Sequence, residues 1–401
     1  MARLRDTRVN LLIATGHFLS HFYMLCLPPL FVAWQESFHV GYAALGLAVA
    51  LLSAVTAILQ TPVGFLVDRF GARAFLIGGA SLMTLSIAAM GLAGAYWQVL
   101  VLAVLSGIGN SVIHPCDYAI LSASVSRQRV GRAFSLHTFA GNVGFAAGPP
   151  VIVGLSVLLG WRGALGVVGL VGLPLVASIL WQSKILVDRP AEALPQGTAK
   201  LSGKALLLTQ AMLLFLVFYV FTSMATTGLQ AWLITVLHKV RGMDIPLASS
   251  VLTAYLIGVS GGVLFGGWVS DRTTHHLRLV ASLTVPAALL FLAVALLALP
   301  TPLDILCVFS AGVLFGTSRT PRDMMVKTAS PPGQVGTVFG FVSAGLPLGS
   351  ALTPVPFGFL IGAGHPELVL VLVAAIMASS VLVAAAAHGS ARQREVAVAA
   401  E

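Results

Sequence analysis

Long apolar stretches separated by short polar turns run from one end of this chain to the other. Stretches long enough to cross a bilayer, about 17–25 residues each, fall near 9–34, 42–67, 74–94, 97–120, 133–157, 160–182, 205–236, 247–270, 278–298, 302–324, 335–361 and 367–388. This pattern predicts an all-α membrane protein of about twelve transmembrane helices, with both ends of the chain on the same side. The longest polar interval, QSKILVDRPAEALPQGTAKLSGK (182–204), lies near the midpoint and mixes Pro, Gly, Ser and charge. It reads as a cytoplasmic loop over 183–204 that joins two six-helix bundles, 1–182 and 205–390, with a short tail at 391–401.

Charge placement orients the bundles. With the N-terminus in the cytoplasm, every one of the 22 Lys and Arg residues except Arg162, Lys239 and Arg241 falls on the inner side, which is the positive-inside asymmetry. The net charge of +9 is therefore a topology signal and calls for no nucleic-acid partner. Only 9% of the 401 residues are charged and 58% are hydrophobic, against about 25% charged in soluble domains, so lipid is the main solvent. The basic start MARLRDTRVN leads into an apolar run of about 24 residues, longer than the 7–15 of a signal-peptide core, so it is expected to stay as the first span. Cys26, Cys116 and Cys307 are far apart in apolar stretches, with no disulfide or zinc-finger spacing.

The halves echo one another. GFLVDR (64–69) returns as GWVSDR (267–272) at an offset of 203, GRAFS (131–135) as GTVFG (336–340) at 205, and Pro149 as Pro354 at the same 205. Three landmarks at nearly one spacing indicate a duplicated six-helix unit, the parallel repeat of a rocking transporter.

The stretch GFLVDRFGARAFL (64–76) resembles the cytoplasmic loop signature of the major facilitator superfamily, Gly-x-x-x-Asp-Arg-x-Gly-x-Arg. Physically, Gly64 lets helices approach, Asp68 caps or pairs at a helix end, Gly71 permits a tight turn, and Arg69 and Arg73 anchor the loop. The resemblance implies that Asp68, Arg69 and Arg73 form a conformational latch between the halves, with Asp271 and Arg272 as its counterpart. GIGNSVIHP and GRAFSLHTFAGNVGFAAGP are further similar to the fosmidomycin-resistance-like branch. The set Gly144, Gly148 and Pro149, with Asn142 alongside, matches part of the glycine-proline signature of exporters in the family and slightly favours export. Small-residue spacing there suits tight helix packing, and Pro149, like Pro354, weakens the backbone ladder and favours a bend.

The candidate chemistry is sparse. His17 and His21 lie one turn apart on one face of the first span. His114 and Asp117 sit in the fourth span, where many family members carry a proton-coupling arginine that this sequence lacks. Ionisable groups inside a membrane helix are costly unless they face a wet cavity or each other, which makes these four candidates for proton or substrate contact. Asp117 also has the alternative of meeting loop arginines such as Arg127 or Arg129. By the 205 offset, Arg319 corresponds to His114 and Arg322 to Asp117, and Arg319 reads as an anion contact or a partner for Asp117. A neutral polar stripe, Tyr219, Thr222, Ser223, Thr226, Thr227 and Gln230, marks the seventh span, and Ser53, Thr56 and Gln60 mark the second. Such stripes line a cavity or pack helices, and in the family both spans border the cavity. Outside the motif loops, Asp117 and Asp304 are the acids expected in spans, with Asp304 at an outer edge. The lack of a deep carboxylate leans the substrate away from cationic drugs.

The expected function is a secondary active transporter, not an enzyme, that moves a small neutral or anionic organic solute by alternating access, coupled to protons through a histidine or acid. An unperturbed histidine titrates at about 6.5, close to working pH. Uptake of an organic acid by the same fold is an alternative. So is a divalent-metal transporter whose ligands are His17, His21, His114 and Asp117. A histidine-box membrane metalloenzyme is disfavoured, because His275 and His276 lie in a distant loop and no third cluster exists. The reading needs no cofactor and no resident metal, and places a monomer in the bacterial inner membrane with both termini cytoplasmic.

Overall fold

The computed structural model describes residues 2–125, 130–187, 207–270, 272–330 and 335–400. Among these residues the regular structure is helical, with no strand. Eleven helical segments are long and apolar enough to cross a membrane. One of them, Leu136–Ile185, has 50 residues; at about 1.5 Å per residue it is more than twice the roughly 30 Å of a hydrocarbon core. Most of it belongs to α7 (Val130–Gln182), whose backbone leaves helical geometry at Gly160, where φ is 69° and ψ is 164°. Glycine alone adopts that conformation cheaply, so Gly160 divides the segment into two spans and the count reaches the twelve that the apolar stretches predict.

The chain separates into two compact units. The first comprises Met1–Leu194 with Met243–Thr253, and the second comprises Pro195–Gly242 with Ala254–Glu401. Most of the sequence-derived loop at 183–204 lies outside the described residues.

In the first unit the helices are α1 (Ala2–Cys26), α2 (Phe31–Phe38), α3 (Tyr42–Phe70), α4 (Arg73–Met90), α5 (Tyr96–Ser111), α6 (Ile113–Ser124) and α7. Pro28 and Pro29 begin a 3-10 turn that separates α1 from α2. The second unit holds α8 (Gln210–Arg241), most of α9 (Ile245–Ser270), α10 (His276–Leu296), α11 (Thr301–Thr317), α12 (Arg319–Ala329), α13 (Val335–Ser343), α14 (Gly345–Leu352), α15 (Pro354–Gly362) and α16 (Glu367–Ala400). In each unit the fourth span is broken just before its candidate residues, between α5 and α6 at Val112 and between α11 and α12 at Ser318. Large apolar side chains such as Leu92, Leu170, Trp181, Leu264, Phe359 and Leu382 are exposed, as a lipid-facing surface requires.

Backbone-to-backbone packing through glycine holds each unit together. In the first, Gly144 meets the Phe18 carbonyl and Gly148 the Phe22 carbonyl, which brings α7 against α1. In the second, Gly258, Gly262 and Gly266 of α9 pack on the backbone of α11, and Gly312 and Gly316 return the contact on Tyr255 and Val259. Without a hydrophobic drive between helices in lipid, such close approach supplies the packing attraction. α7 stays helical through Pro149 and Pro150, and its helical geometry breaks at Gly160. Pro354 does stand at a break, opening α15 after α14 ends at Leu352.

Gly71, at φ 90°, ends α3 and makes the tight turn into α4. A Cβ at Gly64 would meet nothing within 4 Å among the described residues. Gly144→Leu should therefore lower stability by about 1–3 kcal/mol through overpacking. Gly64→Ala should be neutral or stabilising by about 0.5–1 kcal/mol, the helix-interior preference for Ala over Gly. Thermal unfolding of the detergent-purified protein checks both.

Candidate functional site

Four histidines and one aspartate converge inside the first unit. His17 and His21, one turn apart on α1, have ring centroids 4.2 Å apart. His114, near the start of α6, lies 4.9 Å from His17 and 5.9 Å from His21. His137, on α7, stacks on His17 at 3.6 Å with an interplanar angle of 8°. The cluster therefore draws on α1, α6 and α7. Room for it comes from Gly141, one turn after His137, where an added Cβ would stand 2.6 Å from His17 Cε1 and 2.8 Å from His21 Nδ1. Phe145, a further turn along α7, covers His21 at 4.1 Å.

The hydrogen bonds give this cluster a direction. His17 Nδ1–H donates to the His137 carbonyl at 2.7 Å; a carbonyl only accepts, so a neutral His17 carries its proton on Nδ1 and its lone pair on Nε2. His137 Nε2–H donates to Asp117 Oδ2 at 2.9 Å. Asp117 is fully buried and His137 is 1% exposed. Among the described residues, His17 Nε2, His137 Nδ1 and Asp117 Oδ1 are buried with no hydrogen-bond partner, and the Gly141 backbone engages His21. Tyr118 brings its ring to 5.3 Å from His137.

His137 had a visible signal in the sequence, a histidine in the apolar stretch GRAFSLHTF, but helical spacing along one span does not say which neighbour it meets. Asp117 pairs with it rather than with His114. Arg127 and Arg129, the alternative partners, lie outside the described residues.

The polar stripe on α8 divides among several neighbours. Tyr219 O–H donates to Asp323 Oδ1 at 2.5 Å, and Arg322 Nε–H donates to the same oxygen at 2.9 Å while its guanidinium lies 4.1 Å from the Tyr219 ring centroid. Ser223 donates to the Leu346 carbonyl at 2.5 Å and shares a bond with Ser350, which also reaches Thr227, so these hydroxyls join α8 to α14. Thr222 and Thr226 bond back to their own helix at Phe218 and Thr222. Arg319 is partly buried, within electrostatic reach of Tyr255 and Asp323; Gln230 is partly buried on α8. On α3, Thr56 bonds to Leu52 and Gly107 carbonyls and receives Asn110 Nδ2 at 3.3 Å, while Gln60 is partly buried one turn on. Asn142 is partly buried on α7.

Acids within the spans exceed the two expected from sequence, since Asp323 lies inside the candidate span Thr301–Ala329. Asp304 is fully buried and pairs with Arg241 Nε at 3.3 Å.

At the motif loop, Arg73 donates to the Leu186 carbonyl at 2.9 Å and Arg69 lies 5.1 Å from the Phe70 ring centroid. Arg272 covers Trp268 at 3.8 Å and donates to its carbonyl. The Asp68 side chain and Asp271 lie outside the described residues.

The chain belongs to the Major Facilitator Superfamily, whose model matches residues 13–326. Among curated relatives it is similar to the probable L-galactonate transporter of Escherichia coli (strain K12), 26% identical over 139 residues, 35% of this chain and 31% of that protein. It is also similar to the fosmidomycin resistance protein of the same strain, 25% identical over 268 residues, 65% of this chain and 64% of that protein. The matched segments thus span about a third and just under two thirds of these relatives. A solved bacterial homolog of the human lysosomal transporter Spinster, in an inward-facing and occupied conformation, superposes with a TM-score of 0.75 at 16% identity over 96% of both chains. That likeness establishes the fold, the two-bundle major facilitator architecture.

Breaking a buried pair by removing one partner costs about 3–5 kcal/mol. His137→Leu, which strands Asp117, should lower the thermal unfolding midpoint markedly, and the double variant Asp117→Leu/His137→Leu should recover most of the loss. Calorimetry of the three purified proteins provides the check.

Proposed function

We propose that this protein is a proton-coupled secondary transporter of a small neutral or anionic organic solute, working by alternating access in the bacterial inner membrane with both termini cytoplasmic. The observation that carries the reading is the buried Asp117–His137 pair, 2.9 Å apart inside the first unit. An acid and an imidazole sharing one hydrogen bond hold one proton at little cost, and together they accept a second from water that reaches them. Membrane-buried ionisable residues of this kind mark proton relays in pumps and transporters.

Anionic or neutral cargo follows from charge. In the second unit Asp323 is engaged by Tyr219 and Arg322 and Asp304 by Arg241, which leaves Arg319 as a cation available to an acidic solute. His17, His21, His114, Gln60, Thr222, Thr226 and Gln230 are the further candidates for contact with the solute. Asp68, Arg69 and Arg73, with Asp271 and Arg272, are assigned to the latch. Export is the favoured direction on the strength of the fosmidomycin resistance relative and the partial glycine-proline signature.

A thermal-shift screen of organic acids and drugs on the purified protein, followed by flux of the best binder in proteoliposomes, tests this reading. Flux in the wild type should rise several-fold with an imposed pH gradient. Asp117→Asn should abolish that stimulation while still exchanging solute across membranes of equal pH. Arg319→Ala should weaken binding of an acidic solute at least tenfold and leave a neutral one unaffected. Equal wild-type flux with and without the gradient would remove the proton from the mechanism.

A further inference from the structure

The three imidazoles that do not touch Asp117 have a chemistry of their own. His17, His21 and His114 each bring a ring nitrogen within 4.8 Å of the other two. All three belong to the first unit, with two on one face of α1 and the third on α6. We infer that His17, His21 and His114 form a binding site for a divalent transition-metal ion of the zinc class. This goes beyond the proton reading, uses different side chains from the Asp117–His137 pair, and assigns to an ion the three imidazoles named above as candidates for the solute.

Several independent features point to a ligand. A coordinating histidine needs one nitrogen free of its proton, and the other ring N–H held by an acceptor that fixes the tautomer. His17 meets both conditions: its Nδ1–H is held by the His137 carbonyl at 2.7 Å, and its Nε2 is buried without a partner in a side chain only 2% exposed. His21 brings a second imidazole to the same face, its ring held against the Gly141 backbone. A buried polar atom left unpaired costs free energy, and the His17 Nε2 lone pair is what a cation would satisfy. Partial exposure of His21 and His114 above the buried His17 gives an ion a way in.

The dimensions fit after a small closure. Zinc–nitrogen bonds of about 2.0–2.1 Å in a tetrahedron set ligand atoms about 3.4 Å apart, so the widest pair must close by about 1.4 Å, within the range of a side-chain rotation. Gly141 permits the compact ring arrangement, because a Cβ there would collide with His17 and His21. Behind His17, the stacked His137 is hydrogen-bonded to Asp117, whose carboxylate offsets the charge of an incoming cation from one ring away. Imidazole donors favour zinc, nickel and copper over magnesium, and three protein ligands leave a fourth position open, as in sites that exchange a water or substrate.

The test titrates tag-free, detergent-purified protein with Zn2+ at neutral pH, with Mg2+ as the control ion, and follows Co2+ by its visible absorption. One Zn2+ per chain, no Mg2+ binding and the intense visible bands of tetrahedral Co2+ are expected. His17→Ala, His21→Ala and His114→Ala should each weaken Zn2+ binding at least tenfold, while the double variant His275→Ala/His276→Ala should match the wild type. If His17→Ala proves unstable, the partly exposed His114→Ala carries the test, and a Zn2+-induced rise in the unfolding midpoint of the wild type is required alongside it. Less than one equivalent in the wild type, or affinity unchanged in His21→Ala and His114→Ala, would overturn the site. Because the readout is equilibrium binding of Zn2+, that failure together with intact gradient-driven flux would remove the metal site and leave the proton reading standing.

Discussion

A carboxylate buried inside a membrane bundle must be paired, and most of what distinguishes the first unit follows from how Asp117 meets that requirement. Its partner, His137, comes from α7, and the pair can form only if α7 runs close beside α6 and α1. Closeness is supplied by Gly141, Gly144 and Gly148, which let the α7 backbone approach the histidine rings and the Phe18 and Phe22 carbonyls of α1. Once α7 is there, the His137 carbonyl orients His17, and His17 in turn holds the ring stack together. The glycines that pack the helices and the residues that carry the chemistry are therefore parts of one contact.

The second unit repeats the plan and changes the charges. Its fourth span is interrupted at the corresponding place, and glycine again brings α9 and α11 to backbone contact. Where the first unit has a histidine and an acid, the second presents Arg319 and Arg322, with Asp323 shared between Arg322 and Tyr219. A guanidinium stays protonated at any physiological pH. At the broken fourth span, a histidine and an acid thus stand in the first unit and two arginines in the second.

The apolar periodicity made the helices legible, because lipid imposes a length on each span and leaves little freedom in reading it. Gly71 and Gly160 mark turns that the sequence already punctuates, and the one-turn spacing of His17 and His21 gave their shared face directly. The partner of Asp117 was not legible. His137 lies 20 residues further on and on another helix, and no periodicity within a single span encodes which helices become neighbours. Thr56, Ser223 and Thr227 show the same limit: a polar stripe marks a special face, and only the packing reveals hydroxyls bound to the adjacent helix.

The central claim is that the Asp117–His137 pair takes up and releases a proton within the folded bundle. Infrared difference spectra of purified protein, recorded between about pH 5 and pH 9 around histidine's working range, read the Asp117 carboxyl directly. The account predicts a reversible change in the carboxyl and imidazole bands of the wild type that disappears in Asp117→Asn. Identical difference spectra for wild type and Asp117→Asn across that whole range would contradict it.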